Sequence, residues 1–203
     1  IDPGLNNPLS CHWYARDFDG NVYETASFVN ADVFLDDELM SCAYYAEKIP
    51  QYWQEIKAGQ RKLAKLTTIR KALTETCRRH GINILCAHNA RFDYNACNNI
   101  QRWTTKSKYR YFLPRGLEWW DTLKIARSVM GEMPTYRKFC EENGYLTKNG
   151  RLRFTAEICY RFITKDNTFK ESHTGLEDVK IESEILAYCH RQHKAMKKKL
   201  WGN

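Results

Sequence analysis

Three side chains in this sequence have the types and spacing that metal chemistry needs: Asp93, His173 and Asp178. His173 and Asp178 fall within "HTGLEDVKIESEIL", where a helical pattern begins near Gly175. On that helix Asp178 shares a stripe with Ile181, Ile185 and Tyr188, so its carboxylate turns toward the apolar side. An ionised acid facing a core is costly unless a positive charge meets it. Asp93 comes from a separate segment, "ILCAHNARFD", one turn beyond His88 and Asn89. Carboxylates suit hard cations such as Mg²⁺ or Mn²⁺. Two such ions about 3.5–4 Å apart can activate a water and stabilise a leaving oxygen. A histidine can take the proton of that water near neutral pH. The chemistry this combination would serve is metal-assisted phosphodiester hydrolysis.

Each residue also has an ordinary reading. Thr174 and Glu177 form a T-x-x-E capping box. Asn89 would cap the helix it precedes, and Asp93 would be a first-turn acid favoured by the helix dipole. A lone loop histidine is most often structural or exposed. The case for chemistry rests on the three together.

The elements that must position them follow from pattern. "HWYARDFDGNVYETASFV" reads as two strands joined by a turn at Asp19 to Asn21. Residues 36–80 read as mainly helical, with Gly59 a break. "INILCA", Ile82 to Ala87, is a short apolar run suited to a strand buried on both faces. A helix follows from about Arg91 to Ile100. "LEWWDTLKIARSVM" repeats strand then helix, with Asp121 and Thr122 in the capping zone and Asp121 a cap more than a ligand. "PTYRKFCEENG" is a helix between Pro134 and Gly144, and "TAEICYRFIT" another. A hairpin followed by alternating strands and helices implies an α/β domain with a mixed sheet.

The 203 residues suit a single domain, and 43% hydrophobic with 28% charged residues is a globular composition. No apolar run approaches membrane-spanning length, and no signal-peptide pattern opens the chain as given. Ile1 is not an initiator Met, so the gene product need not begin there. Eight cysteines include no C-x-x-C pair, and several sit in apolar runs. Buried free thiols in a reducing cytoplasm are expected, not a zinc site. The net charge of +8 favours polyanionic partners; part of it lies in "KAMKKKLWGN", read as a basic helix end over about 190–203.

The motifs resemble a known family. "HNARFD" is similar to the second motif, and "HTGLED" to the third, of DEDDh 3′–5′ exonucleases, the proofreading-subunit-like nucleases with an RNase H-like fold. "WWDTLKIAR" matches the strand and helix that lie between those motifs. The likeness runs from near residue 1 to about Cys189, in the style of a phage or prophage member. It implies an RNase H-like mixed central sheet flanked by helices, two Mg²⁺ or Mn²⁺ ions held by Asp2, Asp93 and Asp178, and His173 as general base. Leu5, Asn89 and Arg91 would contact substrate. The family's first motif is a D-x-E element followed by a T-G-L-like turn. Here "IDPGL" keeps its start and its end without the Glu. Either residues are missing from the printed chain around Asp2 and Pro3, the favoured explanation, or the protein lacks one metal ligand.

Single-stranded DNA or a frayed DNA 3′ end is the implied substrate, with nucleoside 5′-monophosphates as products. RNA is not excluded, and a replicative polymerase is an implied partner in the cytoplasm of a bacterium or phage-infected host. "QRWTTKSKYRYFLPRG" interleaves cations with aromatics, as a single-strand track would; an ordinary loop packing its aromatics inward fits equally. The alternative functions are a catalytically weak nucleic-acid-binding or polymerase-associated module, or a 3′–5′ exoribonuclease of the same fold.

Overall fold

The computed structural model describes the backbone of residues 3–4, 7–8, 10–41, 46–104 and 111–201. Asp2 and Leu5, two of the expected site residues, lie outside this set, as do Cys42 and the basic residues Lys106, Lys108 and Arg110. Two short strands, β1 (Pro3–Gly4) and β2 (Asn7–Pro8), form an antiparallel pair. The expected hairpin follows as β3 (Ser10–Arg16) and β4 (Val22–Asn30), antiparallel with a register shift between Ala15 and Arg16. At the turn, both Gly20 and Asn21 donate their N–H groups to Asp17 Oδ1, at 2.9 Å each.

Asn30 then caps α1 (Ala31–Phe34), its side chain accepting from the Asp32 N–H at 3.1 Å. Next come α2 (Asp37–Ser41), a 3₁₀ turn (Ala46–Lys48) and α3 (Ile49–Lys57). The helical reading of residues 36–80 misses one element. The strand β5 (Lys62–Ala64) lies parallel to β4 before α4 (Leu66–Arg79) begins. Three residues give no period to read, and pairing with β4 decides their state.

The strand β6 (Ile84–Ala87) leads into α5 (Ala90–Thr104), and β7 (Glu118–Asp121) into α6 (Thr122–Val129). Asp121 caps α6, its Oδ1 accepting from the Leu123 N–H at 2.9 Å. A 3₁₀ turn, α7 (Pro134–Glu142), α8 (Ala156–Thr164) and α9 (Leu176–Arg191) complete the described helices. The chain after α9 corrects the basic helix end. His193 turns it with a left-handed φ of 51°, and it runs back along β7. There Leu200 donates to Trp119 O at 2.9 Å, and Asp121 to Lys198 O at 2.8 Å. Leu200 is buried, and Lys198 Nζ lies 4.1 Å from the centre of the Trp120 ring, so this basic segment packs on the body.

The α/β class holds, but the described strands do not make one continuous sheet. They form β1–β2, β3–β4–β5 and a parallel β6–β7 pair. Nor is "INILCA" buried on both faces: Ile84, Leu85 and Ala87 are only half-buried, and Cys86 is exposed. One edge of β6 is bonded to β7, and among the described residues no strand pairs with the other. Two cores lie apart. One gathers Val29, Tyr52, Ile69, Ile100 and Phe112; the other gathers Ile125, Val129, Tyr136, Ile181 and Ile185. Each such side chain, fully buried, stabilises the fold by about 1.5–3 kcal/mol. Of the cysteines, Cys77, Cys97, Cys140, Cys159 and Cys189 are buried free thiols as expected.

Candidate metal site

The loop ahead of α9 is built by backbone geometry. His173 and Gly175 both have left-handed φ, 51° and 78°. Gly175 is the N-cap of α9, which shifts the cap by one residue from the T-x-x-E reading. The third helical position is therefore Asp178, and its Oδ2 accepts from the Gly175 N–H at 2.8 Å. This explains one carboxylate oxygen structurally. The other, Oδ1, is buried without a hydrogen-bond partner. A buried oxygen left unmet costs about 1–3 kcal/mol, more when charged.

Beside that oxygen the loop places Glu171 and His173. One ligand atom from each of Glu171, His173 and Asp178 lies within 4.8 Å of the others. His173 Nδ1 is 3.9 Å from Glu171 Oε2, and the imidazole is half exposed. Burial pushes the Glu171 carboxyl above its usual range, and the charge of Asp178 and a side-chain hydrogen bond between the two acids push it further, so a proton shared by this pair can stand where a cation would. Glu157 adds to this negative field while holding the Glu171 N–H at 2.9 Å. An acid driven toward its proton beside an unmet carboxylate oxygen is a place where a cation would be stabilised. Two carboxylates and an imidazole fit Mg²⁺ by their oxygens and Mn²⁺ by the whole set.

The loop is fastened from behind. Lys48 Nζ donates to the carbonyls of Ser172 at 2.6 Å and His173 at 3.0 Å. Arg61, buried and paired with Glu55, donates to Thr174 O at 2.5 Å and lies over the Tyr52 ring. It also donates to His12 Nε2 at 3.2 Å, so the His12 proton sits on Nδ1 and points to Ser27 Oγ, 2.9 Å away. Burial, with the Arg61 charge adding to it, holds His12 neutral.

Asp93 is brought to a different spot. It is buried in the first turn of α5, and it faces a cavity of about 400 Å³ together with Glu182. Glu182 stands one turn after Asp178 on α9 and feels the charges of both Asp93 and Asp178. Burial raises Asp93 to about 6 and Glu182 to about 8. The Glu171–His173–Asp178 cluster does not include Asp93. Glu182 is the acid that both neighbourhoods share.

The other candidates make contacts within the chain. His88 Nε2 donates to Phe154 O at 2.8 Å, and its Nδ1 lies 3.2 Å from Thr122 Oγ1. Asn89 is exposed with a φ of 66°, and its N–H is held by Asp121 Oδ1 at 3.1 Å. Arg91 lies 5.6 Å above the Trp201 ring. In the aromatic-basic stretch, Phe112 is core while Tyr111 is exposed, so the described part divides between the two readings.

Glu171, Glu182, Lys48, Arg61 and His12 were not singled out by sequence. Two carried a signal: Glu171 is two positions before His173, the same-side spacing of an extended segment, and Glu182 is four after Asp178, the same-face spacing of a helix. Lys48, Arg61 and His12 reach the loop from far along the chain. Compared with protein-family models, curated proteins and solved structures, the chain matches none.

Proposed function

We propose that this protein is a divalent-metal-dependent 3′–5′ exonuclease that hydrolyses the terminal phosphodiester of single-stranded or frayed DNA and releases nucleoside 5′-monophosphates. The observation that carries the reading is the gathering of Glu171, His173 and Asp178, one ligand atom from each within 4.8 Å of the others, two of them carboxylates. The order of the two motifs, the resemblance to DEDDh nucleases of RNase H-like fold and the net charge of +8 support it. In this reading Glu171 and Asp178 hold one ion, and Asp93 with Glu182 holds the other. A bound ion would acidify water and offset charge on the phosphoryl group. The half-exposed imidazole of His173 accepts the proton of the attacking water, and Lys48 and Arg61 keep its loop in place. The working compartment is the cytoplasm, with a replicative polymerase as the implied partner.

The test is digestion of 5′-labelled DNA and RNA oligonucleotides with Mg²⁺ or Mn²⁺. A ladder shortening from the 3′ end and lost in His173→Ala is expected, stronger on DNA. Internal cuts, or equal activity in the variant, reject the mechanism. One observation favours the catalytically weak module: Asp93 stands outside the Glu171–His173–Asp178 cluster. That reading predicts oligonucleotide binding, seen by fluorescence anisotropy, with no shortening under any metal.

A further inference from the structure

The aromatic-basic stretch ahead of β7 and the segment that returns along β7 enclose an open groove of about 570 Å³, within the range of ligand sites. Its walls are one face of α5, with Tyr94 and Asn98, then residues 111–119 and 199–201. α5 therefore serves two places. Asp93 turns into the body, while Arg91, Tyr94 and Asn98 fall three and four positions apart on another stripe. Two aromatic rings stand open in the groove, Tyr111 at 50% exposure and Trp201 at 53%. Both are held. Arg70 Nε donates to the carbonyls of Tyr111 and Phe112 at 3.1 Å each, and the Phe112 N–H donates to Asn98 Oδ1 at 3.3 Å. Tyr94 meets Trp119 and Trp201 in T-shaped contacts, with centroids 5.5 Å apart in each. Lys124 Nζ fastens the return segment, donating to the carbonyls of Lys199 at 3.1 Å and Leu200 at 3.2 Å. Rings fixed at a surface lose little further freedom when a ligand stacks on them.

The charge around them is one-sided. Arg91 lies over the Trp201 ring, and Arg115, Lys124 and Lys199 border the same groove. Among the described lining residues the one carboxylate is Glu118, which Lys199 already meets at 3.7 Å. Arg115 is exposed, and among the described residues no hydrogen bond or ion pair engages it. Cations beside open π-faces suit a polyanion that carries flat rings. An acidic peptide supplies the charge without the rings, and a duplex keeps its base faces stacked inside.

We propose that this groove is a metal-independent subsite for single-stranded DNA, in which unpaired bases stack on Trp201 and Tyr111 while the flanking phosphates meet Arg115 and Lys199. The choice of DNA rests on the nuclease reading; the stacking geometry does not.

The test is binding in EDTA, so that no hydrolysis is needed. Ultraviolet crosslinking of the wild-type chain to a bromodeoxyuridine oligonucleotide, mapped by mass spectrometry, should mark Trp201 or Tyr111. Because this readout uses the unsubstituted chain, it decides the matter even if a variant fails to fold. By fluorescence anisotropy, Trp201→Leu should weaken binding about 10-fold without changing its salt dependence, and Trp201→Phe should stay within about 3-fold of wild type. Arg115→Gln should instead lower the slope of log affinity against log salt by about 0.7, one phosphate contact. Crosslinks only at other residues, unchanged affinity in Trp201→Leu, or equal competition by a duplex overturns the inference. So does a proline-rich peptide that occupies the groove where the oligonucleotide does not, since that assigns it to a protein partner. Binding that meets these expectations without any shortening in Mn²⁺ upholds the subsite and removes the nuclease reading. Shortening by a chain whose binding ignores Trp201 does the reverse.

Discussion

Gly175 rests directly against the imidazole of His12: a methyl group added to its Cα would overlap ring atoms Cδ2 and Nε2. The contact joins β3 to the N-terminus of α9, and its backbone φ of 78° is one that side-chain-bearing residues rarely adopt. Gly175→Ala should therefore destabilise the protein by about 2–4 kcal/mol, from overpacking and backbone strain together. Urea denaturation measures this. The loss should be smaller in a His12→Ala background, since only the overpacking part depends on the ring.

The Lys48 ammonium holds two successive loop carbonyls, those of Ser172 and His173. Lys48→Met should raise hydrogen exchange across residues 171–175 by about 10-fold, a local cost of roughly 1.4 kcal/mol, with little change in global stability. Global unfolding without a selective effect on the loop would show that Lys48 serves the body and not the site.

The sign of the pH dependence is fixed by acids raised above their ordinary range. Glu182 at about 8, with Glu171 also raised, binds protons in the folded chain that the unfolded chain has already lost. Stability is thus greatest below the ordinary glutamate range and falls as pH rises through the folded values. Between pH 7.5 and 9, above the ordinary histidine value of 6.5 at which unfolded His12 and His88 titrate, these acids should cost the metal-free protein about 1 kcal/mol, or roughly 2 °C of Tm. Glu182→Gln should flatten the slope, and Mn²⁺ should restore the lost stability at pH 9. A Tm that is level or rises over this range contradicts the burial of these acids.

Much of the scaffold was legible because the pattern was local. The β3–β4 hairpin announced itself by alternation around Asp19–Asn21, α7 by Pro134 and Gly144, and α6 by the Asp121 cap. What failed was set at a distance. β5 exists because β4 pairs with it, and residues 198–200 leave the helical pattern because β7 offers an edge. The cap of α9 moved from Thr174 to Gly175 because a tight approach to His12, invisible in a local window, selects glycine there. In the candidate site, the structure brings ligand atoms of His173 and Asp178 within 4.8 Å of each other. The acid beside them is Glu171, however, and Asp93 is linked to them only through Glu182.

Asp178→Asn offers the most direct test of the account, because the amide oxygen can still accept the Gly175 N–H while the charge beside Glu171 is removed. The measurement is release of nucleoside 5′-monophosphate from 5′-labelled single-stranded DNA in Mn²⁺, wild type against variant, with Tm recorded for both. The account predicts stepwise shortening from the 3′ end by the wild type, and a loss of at least about 1000-fold in a variant that stays folded, a transition-state cost near 4 kcal/mol. Absence of shortening by the wild type, or equal rates in the two proteins, would contradict it.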